Sequence, residues 1–266
     1  MRIHRVMANI VMVVALTVGT ALAQGNIYQA TLQEQNPATA EVSTDELKLI
    51  LQTGSAVVFD ARPFMEFAVS HIPGAVNVSQ KPGLPASQYT SDVAEVGRLL
   101  SGNKQQSIVL YCNGPFCGKS KRLATDLLAA GYSNVRRYQL GIPTWRALVG
   151  LTEIEGAGAE YVYRLDMTAW WVDGRSHGEF ATGTLGHAYN IPVEDVLAAK
   201  DDGRLPMEDH NTRIVVFGSN GAQARAVAAS LASNAFHNVA FFGGTLENLR
   251  ELLLTKSEHE AVDRRP

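Results

Sequence analysis

The chain has no basic run and no stripe of interleaved aromatic and basic residues. Its charge is nearly balanced, at 23 Lys and Arg against 26 Asp and Glu. A nucleic-acid surface needs clustered positive charge, so that class of partner is excluded. No histidine has companions at metal-ligand spacing, and neither a metal nor another cofactor is expected. Beyond the N-terminal segment, no apolar stretch is long enough to cross a bilayer, so no stable membrane insertion of the mature chain is expected. Cysteine is scarce, with 2 in 266 residues, at positions 112 and 117 of one loop. A bridge between them would close a tiny ring and stabilise the fold little. The pair therefore points to redox or nucleophilic chemistry rather than to a structural staple.

What is present reads as ordinary globular composition, 46% hydrophobic and 18% charged, enough for one large or two modest domains. The N-terminus stands apart. Arg2 and Arg5 bracket a basic start, Val6 to Ala23 carries no charge, and Ala21-Leu22-Ala23 offers a cleavage site of the A-x-A kind. Residues 1–23 read as a secretory signal peptide, with an uncleaved anchor as the alternative. The expected location is periplasmic or secreted. Cleavage leaves 21 basic against 26 acidic residues.

Residues 24–40 are polar and patternless and read as a mobile leader. A capping box at Ser43 to Glu46 opens a helix. Short apolar strands at 56–59, 75–78, 107–110 and 134–138 then alternate with helices, and Lys81 to Thr90 reads as a loop. This alternation predicts an α/β fold with a doubly wound central parallel sheet flanked by helices. The first domain is placed at 41–150, a glycine-rich linker at 151–158, a second domain at 159–256 and a tail at 257–266.

The pattern restarts after the linker. Asp60-Ala61-Arg62 recurs as Asp173-Gly174-Arg175, Glu66-Phe67 as Glu179-Phe180, and Ala75-Val76-Asn77-Val78 as Ala188-Tyr189-Asn190-Ile191, all at an offset of 113. Ile108 to Cys112 recurs as Ile214 to Gly218, and Asn134-Val135 as Asn238-Val239. The chain is a tandem repeat of one α/β unit. Only the first copy has the cysteine, and its loop is about two residues longer than its twin.

Cys112 follows a buried strand and precedes a helix, where unpaired N–H groups and the helix dipole favour a thiolate. It reads as the nucleophile. Cys117 reads either as a resolving thiol or as a small loop-lining residue. Asn113, Gly114, Pro115, Phe116, Gly118 and Lys119 form the candidate anion-binding loop, with Gly114 and Gly118 expected at positive φ. Lys119, Lys121 and Arg122 either steer an anion or form a solvated helix face, and the second reading suits at least two of them better. Asp60 and Arg62 recur without the cysteine and read as a structural pair, with Arg62 a candidate pocket edge. Trp145 is a candidate pocket wall, with core packing the stronger reading, and His71 reads as structural.

The run Asp60-x-Arg62-x-x-x-Glu66-Phe67-x-x-x-His71-Ile72-Pro73-Gly74-Ala75, followed by the cysteine loop, Asn134-Val135 and Gly141, resembles the signature of the rhodanese family. The resemblance implies two tandem rhodanese-like domains and a persulfide carried on Cys112. Sulfane sulfur would come from a small anionic donor such as thiosulfate and pass to a thiophilic acceptor, a small molecule or a protein thiol. Three features depart from the familiar pattern: the cysteine lies in the N-terminal domain, the loop is long, and a second cysteine stands five residues on. Related phosphatases and arsenate reductases with long loops end them in arginine, whereas Gly118-Lys119 stands there here. The alternatives are a thiol–disulfide or persulfide redox protein using Cys112 and Cys117, and a non-catalytic sulfur carrier or binding module.

Overall fold

The computed structural model of the chain describes residues 26–79, 93–148 and 150–253. The signal segment, the loop at 81–90 and the tail at 257–266 lie outside the described residues. The first half runs β1 (Ala40–Glu41), α1 (Thr44–Thr53), β2 (Val57–Asp60), α2 (Phe64–Val69), β3 (Val76–Asn77), α3 (Val93–Leu99), β4 (Ile108–Tyr111), α4 (Gly118–Ala129), β5 (Val135–Tyr138) and α5 (Gly141–Leu148). The second runs β6 (Leu151–Ile154), α6 (Gly156–Leu165), β7 (Trp170–Asp173), α7 (His177–Ala181), β8 (Ala188–Asn190), β9 (Ile214–Phe217), α8 (Gly221–Ser233) and β10 (Val239–Phe242). A helix over residues 246–253 follows.

Each half folds into a five-stranded sheet, in the order β1-β5-β4-β2-β3 and β6-β10-β9-β7-β8. Every pairing between these strands is parallel. Parallel strands need helical crossovers, and these cover both faces. The central strand β4 is therefore buried throughout. Its alternate residues enter different cores: Val109 and Tyr111 pack with Leu47, Ile50 and Trp145, while Ile108 and Leu110 pack with Leu123, Leu127 and Val96. The second sheet repeats this, with Ile214 and Val216 on one face and Val215 and Phe217 on the other. At α1 the Ser43 hydroxyl accepts the Glu46 N–H at 3.2 Å, but the Glu46 carboxylate pairs with Arg136 instead of completing the expected box.

Two boundaries differ from the sequence reading. Residues 151–158, read as a linker, hold β6 and the first turn of α6, because Thr152 and Ile154 face the second core while β6 pairs with β10. The glycines suit a close approach rather than a flexible tether: a Cβ on Gly158 would lie 2.1 Å from the Ala68 carbonyl oxygen of α2. The leader is also tied down. The Glu41 carboxylate accepts the N–H groups of Leu32, Gln33 and Glu34, and Glu34 pairs with Lys121 and Arg137.

The domains meet where α2 lies against α6. His71 and Glu153 exchange backbone hydrogen bonds of 3.0 and 2.9 Å, and the Glu155 N–H donates to the Ala68 carbonyl at 2.7 Å. The His71 ring is buried, stacked on Phe67, with Nδ1 3.0 Å from the Phe67 carbonyl oxygen. Its Nε2 stands 3.8 Å from carboxylate oxygens of both Glu153 and Glu155, too far for a hydrogen bond. Burial therefore dominates and pushes its pKa down to about 4. Between pH 6.5 and 4 the unfolded chain binds this proton and the folded chain does not, so stability is lost as pH falls through that window. The full loss is about 3 kcal/mol from the linkage relation. Glu153 and Glu155, whose carboxyl pKa values burial raises, act in the opposite sense. The measurement is thus a difference: urea midpoints of wild type and His71→Asn, taken from pH 7 to pH 4, should converge as the pH drops.

Candidate functional site

The strand order locates the site. The crossover after β2 leads outward to β3, and the one after β4 leads the opposite way to β5. In an open parallel sheet the crevice opens at such a divergence, beyond the carboxyl ends of the strands. Asp60 ends β2, and Tyr111 opposite it ends β4. Cys112 follows directly, and the Ala61 N–H closes the gap on the Tyr111 carbonyl at 3.0 Å.

Cys112 and Cys117 are joined in a disulfide, with Cα atoms 6.2 Å apart. Cys112 is 2% exposed. Cys117 is half-buried and serves as the N-cap of α4, without a side-chain capping hydrogen bond. The loop between them turns at Gly114, whose φ is +97° and whose carbonyl accepts the Cys117 N–H at 3.0 Å. Asn113, Pro115 and Phe116 stand on its outer side, with the Phe116 ring wholly in solvent. Gly118 is the first residue of α4 and does not take the positive φ expected of it. Lys121 is paired with Glu34, in line with the solvated-face reading.

Two contacts hold the loop from outside. The Glu66 carboxylate of α2 accepts the Asn113 Nδ2–H at 2.5 Å. The Ile142 N–H donates to the Cys112 carbonyl at 3.1 Å, which brings the start of α5 directly under the loop. There Gly141 has a φ of +66°, and a Cβ on it would fall 2.3 Å from the Gly114 nitrogen and 2.5 Å from the Cys112 oxygen. In the sequence, Glu66 and Gly141 stand only as members of the signature, with no contact to the cysteine loop foreseen.

The second domain supplies the comparison. Its Leu246 N–H donates to the Gly218 carbonyl at 3.0 Å, so Thr245 occupies the place of Gly141. Six residues separate β4 from α4, but three separate β9 from α8. The short loop leaves room for a threonine. Glu179 holds it as Glu66 holds the first, through the Ser219 hydroxyl at 2.7 Å. The Gln223 side chain accepts the Ser219 N–H at 2.8 Å, and a Cβ on Gly218 would lie 2.8 Å from that same oxygen. The second loop is filled by its own helix.

The remaining candidates are structural. Asp60 is fully buried and Arg62 is 3% exposed. The Arg62 N–H and Nε donate to Asp60 Oδ1 at 2.8 and 3.0 Å, and Nη2 reaches Oδ2 at 2.5 Å and the Ser70 carbonyl at 2.7 Å. Arg175 makes the same bonds to Asp173 and to the Gly183 carbonyl, with no cysteine beside it. Arg62 thus braces the turn after β2. Trp145 packs in the core: it is 4% exposed, donates from Nε1 to the Leu151 carbonyl and meets Tyr138 edge-on. The Tyr111 hydroxyl accepts the Ile72 N–H at 3.2 Å, and burial, followed by the Asp60 charge, holds it well above its usual pKa. Its twin Phe217 has no hydroxyl, and in the second domain the Thr184 hydroxyl donates to Asp173 at 2.6 Å. Among the described residues no cluster of histidine, cysteine and acidic side chains is arranged to hold a metal.

Comparison with known proteins adds the following. The sequence model of the Rhodanese-like domain matches residues 43–148 and again 159–251. An HTH-type transcriptional regulator of Mycobacterium tuberculosis is 34% identical over 119 residues, which cover 44% of this chain and 45% of that protein. The chain thus spans less than half the length of that relative. Among solved structures, a thiosulfate sulfurtransferase from Pseudomonas aeruginosa shares 20% identity at a TM-score of 0.35, over 79% of this chain and 44% of that one. A 3-mercaptopyruvate sulfurtransferase from Escherichia coli shares 19% at a TM-score of 0.35, over 77% of this chain and 97% of that one.

Proposed function

The chain belongs to the rhodanese-like domain family, in both of its halves, and from that membership we propose that it is a sulfurtransferase working through Cys112. The observation that carries the reading is the placement of Cys112 at the sheet's crevice, in a loop enlarged only in the repeat that has the thiol. The working form has the disulfide reduced. The Cys112 thiolate attacks the outer sulfur of thiosulfate or a similar anionic donor. The sulfur–sulfur bond of the donor breaks, and sulfite leaves with its electron pair. The first turn of α4 and the loop N–H groups stabilise the thiolate and the departing anion. Cyanide, sulfite or a protein thiolate then takes the outer sulfur and returns Cys112. The signal segment supports work in the periplasm or outside the cell.

The test is intact mass. Reduced protein incubated with thiosulfate should gain one sulfur, and Cys112→Ser should gain none. Turnover in the variant should fall on the order of 10³-fold or more, as for loss of a nucleophile. A gain that survives the substitution sinks the reading.

The disulfide itself favours a second reading, a thiol–disulfide or persulfide redox protein using both cysteines. Its test is Cys117→Ala: if all activity survives this change, Cys117 is no part of the chemistry.

A further inference from the structure

The two bonded sulfurs stand in unequal surroundings. Cys112 is sealed at the strand end with 2% exposure. Cys117 is half-buried at the helix start, next to a Phe116 ring that no neighbour covers. Thiol–disulfide exchange proceeds by attack of a thiolate on one sulfur while the other departs, and access helps decide which is struck. Of the two residues Cys117 is the more exposed, which makes its sulfur the one to be struck. The departing sulfur is that of Cys112, beside the uncapped first turn of α4, where the helix field favours an anion.

We propose that the disulfide form is itself a sulfur acceptor: hydrosulfide attacks Cys117, and Cys117 carries the first persulfide. A bond forms between the hydrosulfide sulfur and Cys117 Sγ. The Cys112–Cys117 bond breaks, and its electron pair stays on Cys112 Sγ as thiolate. The sulfide sulfur is oxidised by two electrons to the sulfane level and the disulfide is the oxidant, so no other is needed. The Cys112 thiolate then attacks the outer sulfur of the neighbouring persulfide. A Cys112 persulfide forms, and Cys117 leaves as thiolate. The Cα separation of 6.2 Å keeps the two sulfurs within reach throughout. Each disulfide accepts one sulfur, and the dithiol left after delivery is the form that uses an anionic sulfane donor. The transfer to Cys112 rests on the proposed function; the attack on Cys117 depends on the disulfide alone. Cys117 is in this account an entry point for sulfide, a role distinct from resolving a finished persulfide.

The chain holds only 2 cysteines, so peptide mass spectrometry assigns every adduct. Oxidised full-length protein is treated without air with glutathione or with hydrosulfide, quenched with an alkylating agent at increasing times, and digested. Glutathione should give a mixed disulfide on Cys117, in about ten-fold excess over Cys112, with Cys112 alkylated as a thiol. Hydrosulfide should give protein that retains one extra sulfur, on Cys117 at the earliest times and on Cys112 later. A mixed disulfide chiefly on Cys112 overturns the order of attack. Plain dithiol without retained sulfur at every time overturns the proposal. Prereduced protein with hydrosulfide should gain nothing, since a thiol offers no oxidising equivalent. A failure of thiosulfate to load prereduced protein would instead count against the sulfurtransferase reading, and the two failures are seen in separate samples.

Discussion

Asp60→Ala is expected to lower the stability of the first domain by about 3–5 kcal/mol, the usual cost of breaking a buried ion pair from one side. The mechanism is specific. The substitution leaves the Arg62 guanidinium in a site with 3% exposure and removes the carboxylate that meets its Nε and Nη2. It also frees the Arg62 N–H, which turns the chain out of β2. Because Arg175 and Asp173 repeat these bonds, Asp173→Ala should cost a similar amount in the second domain. The two variants differ in function. Folded Asp173→Ala keeps the Cys112 loop and should still load sulfur, whereas Asp60→Ala should lose loading together with structure. Urea unfolding followed by circular dichroism, paired with thiosulfate loading below the transition, measures both. A loss under about 1 kcal/mol in both variants would mean that water reaches the arginines and that the braces are ordinary surface pairs.

Gly141→Ala is expected to slow sulfur loading on the order of 10²-fold, the cost of displacing a reacting group by about an ångström. The new methyl would sit 2.3 Å from the Gly114 nitrogen and 2.5 Å from the Cys112 oxygen, and both are backbone atoms that no rotamer change can move aside. The left-handed φ of +66° adds strain for any L side chain. A further stability loss of about 1–3 kcal/mol accompanies it. The control lies in the same chain. Thr245→Ala, at the matching place under the short loop, should leave loading unchanged. The readout is the rate at which reduced protein gains one sulfur from thiosulfate. Equal rates for wild type and Gly141→Ala would show that the loop adjusts freely, and the glycine would then be a matter of folding alone.

Much of this architecture is legible in the residues because the repeat states it twice. The offset of 113 that aligns Asp60 with Asp173 also aligns the carbonyls that their arginines cap, Ser70 and Gly183. The two-residue excess in the cysteine copy appears in the sheet register: the paired residues Ile108 and Val135 are 27 apart, and Ile214 and Val239 are 25 apart. What stayed hidden depends on partners distant in sequence. Nothing local to Glu66 says that its carboxylate will meet Asn113, 47 residues on. The recurrence of the acid as Glu179, opposite Ser219, was the available signal. The misread linker has a different cause. Glycines at 156 and 158 look like breakers, yet Gly158 is needed where α6 touches Ala68, and the alternation of Leu151 to Ile154 was present but short. Whether two thiols in one small loop are bonded depends on the path of the backbone at Gly114, which composition does not reveal.

The exchange of backbone bonds between His71 and Glu153 has one more consequence. β6 is the outermost strand of the second sheet, and its free side would otherwise present a row of unpaired amide and carbonyl groups. The first domain covers that side at Glu153 and Glu155. Cutting the chain between the halves would therefore do more than separate a module with a thiol from one without. It would strip the lateral cover from a parallel sheet and leave a template for strand addition, so the second domain alone should self-associate. In the intact protein, the domain without a cysteine has this edge closed by the domain with one.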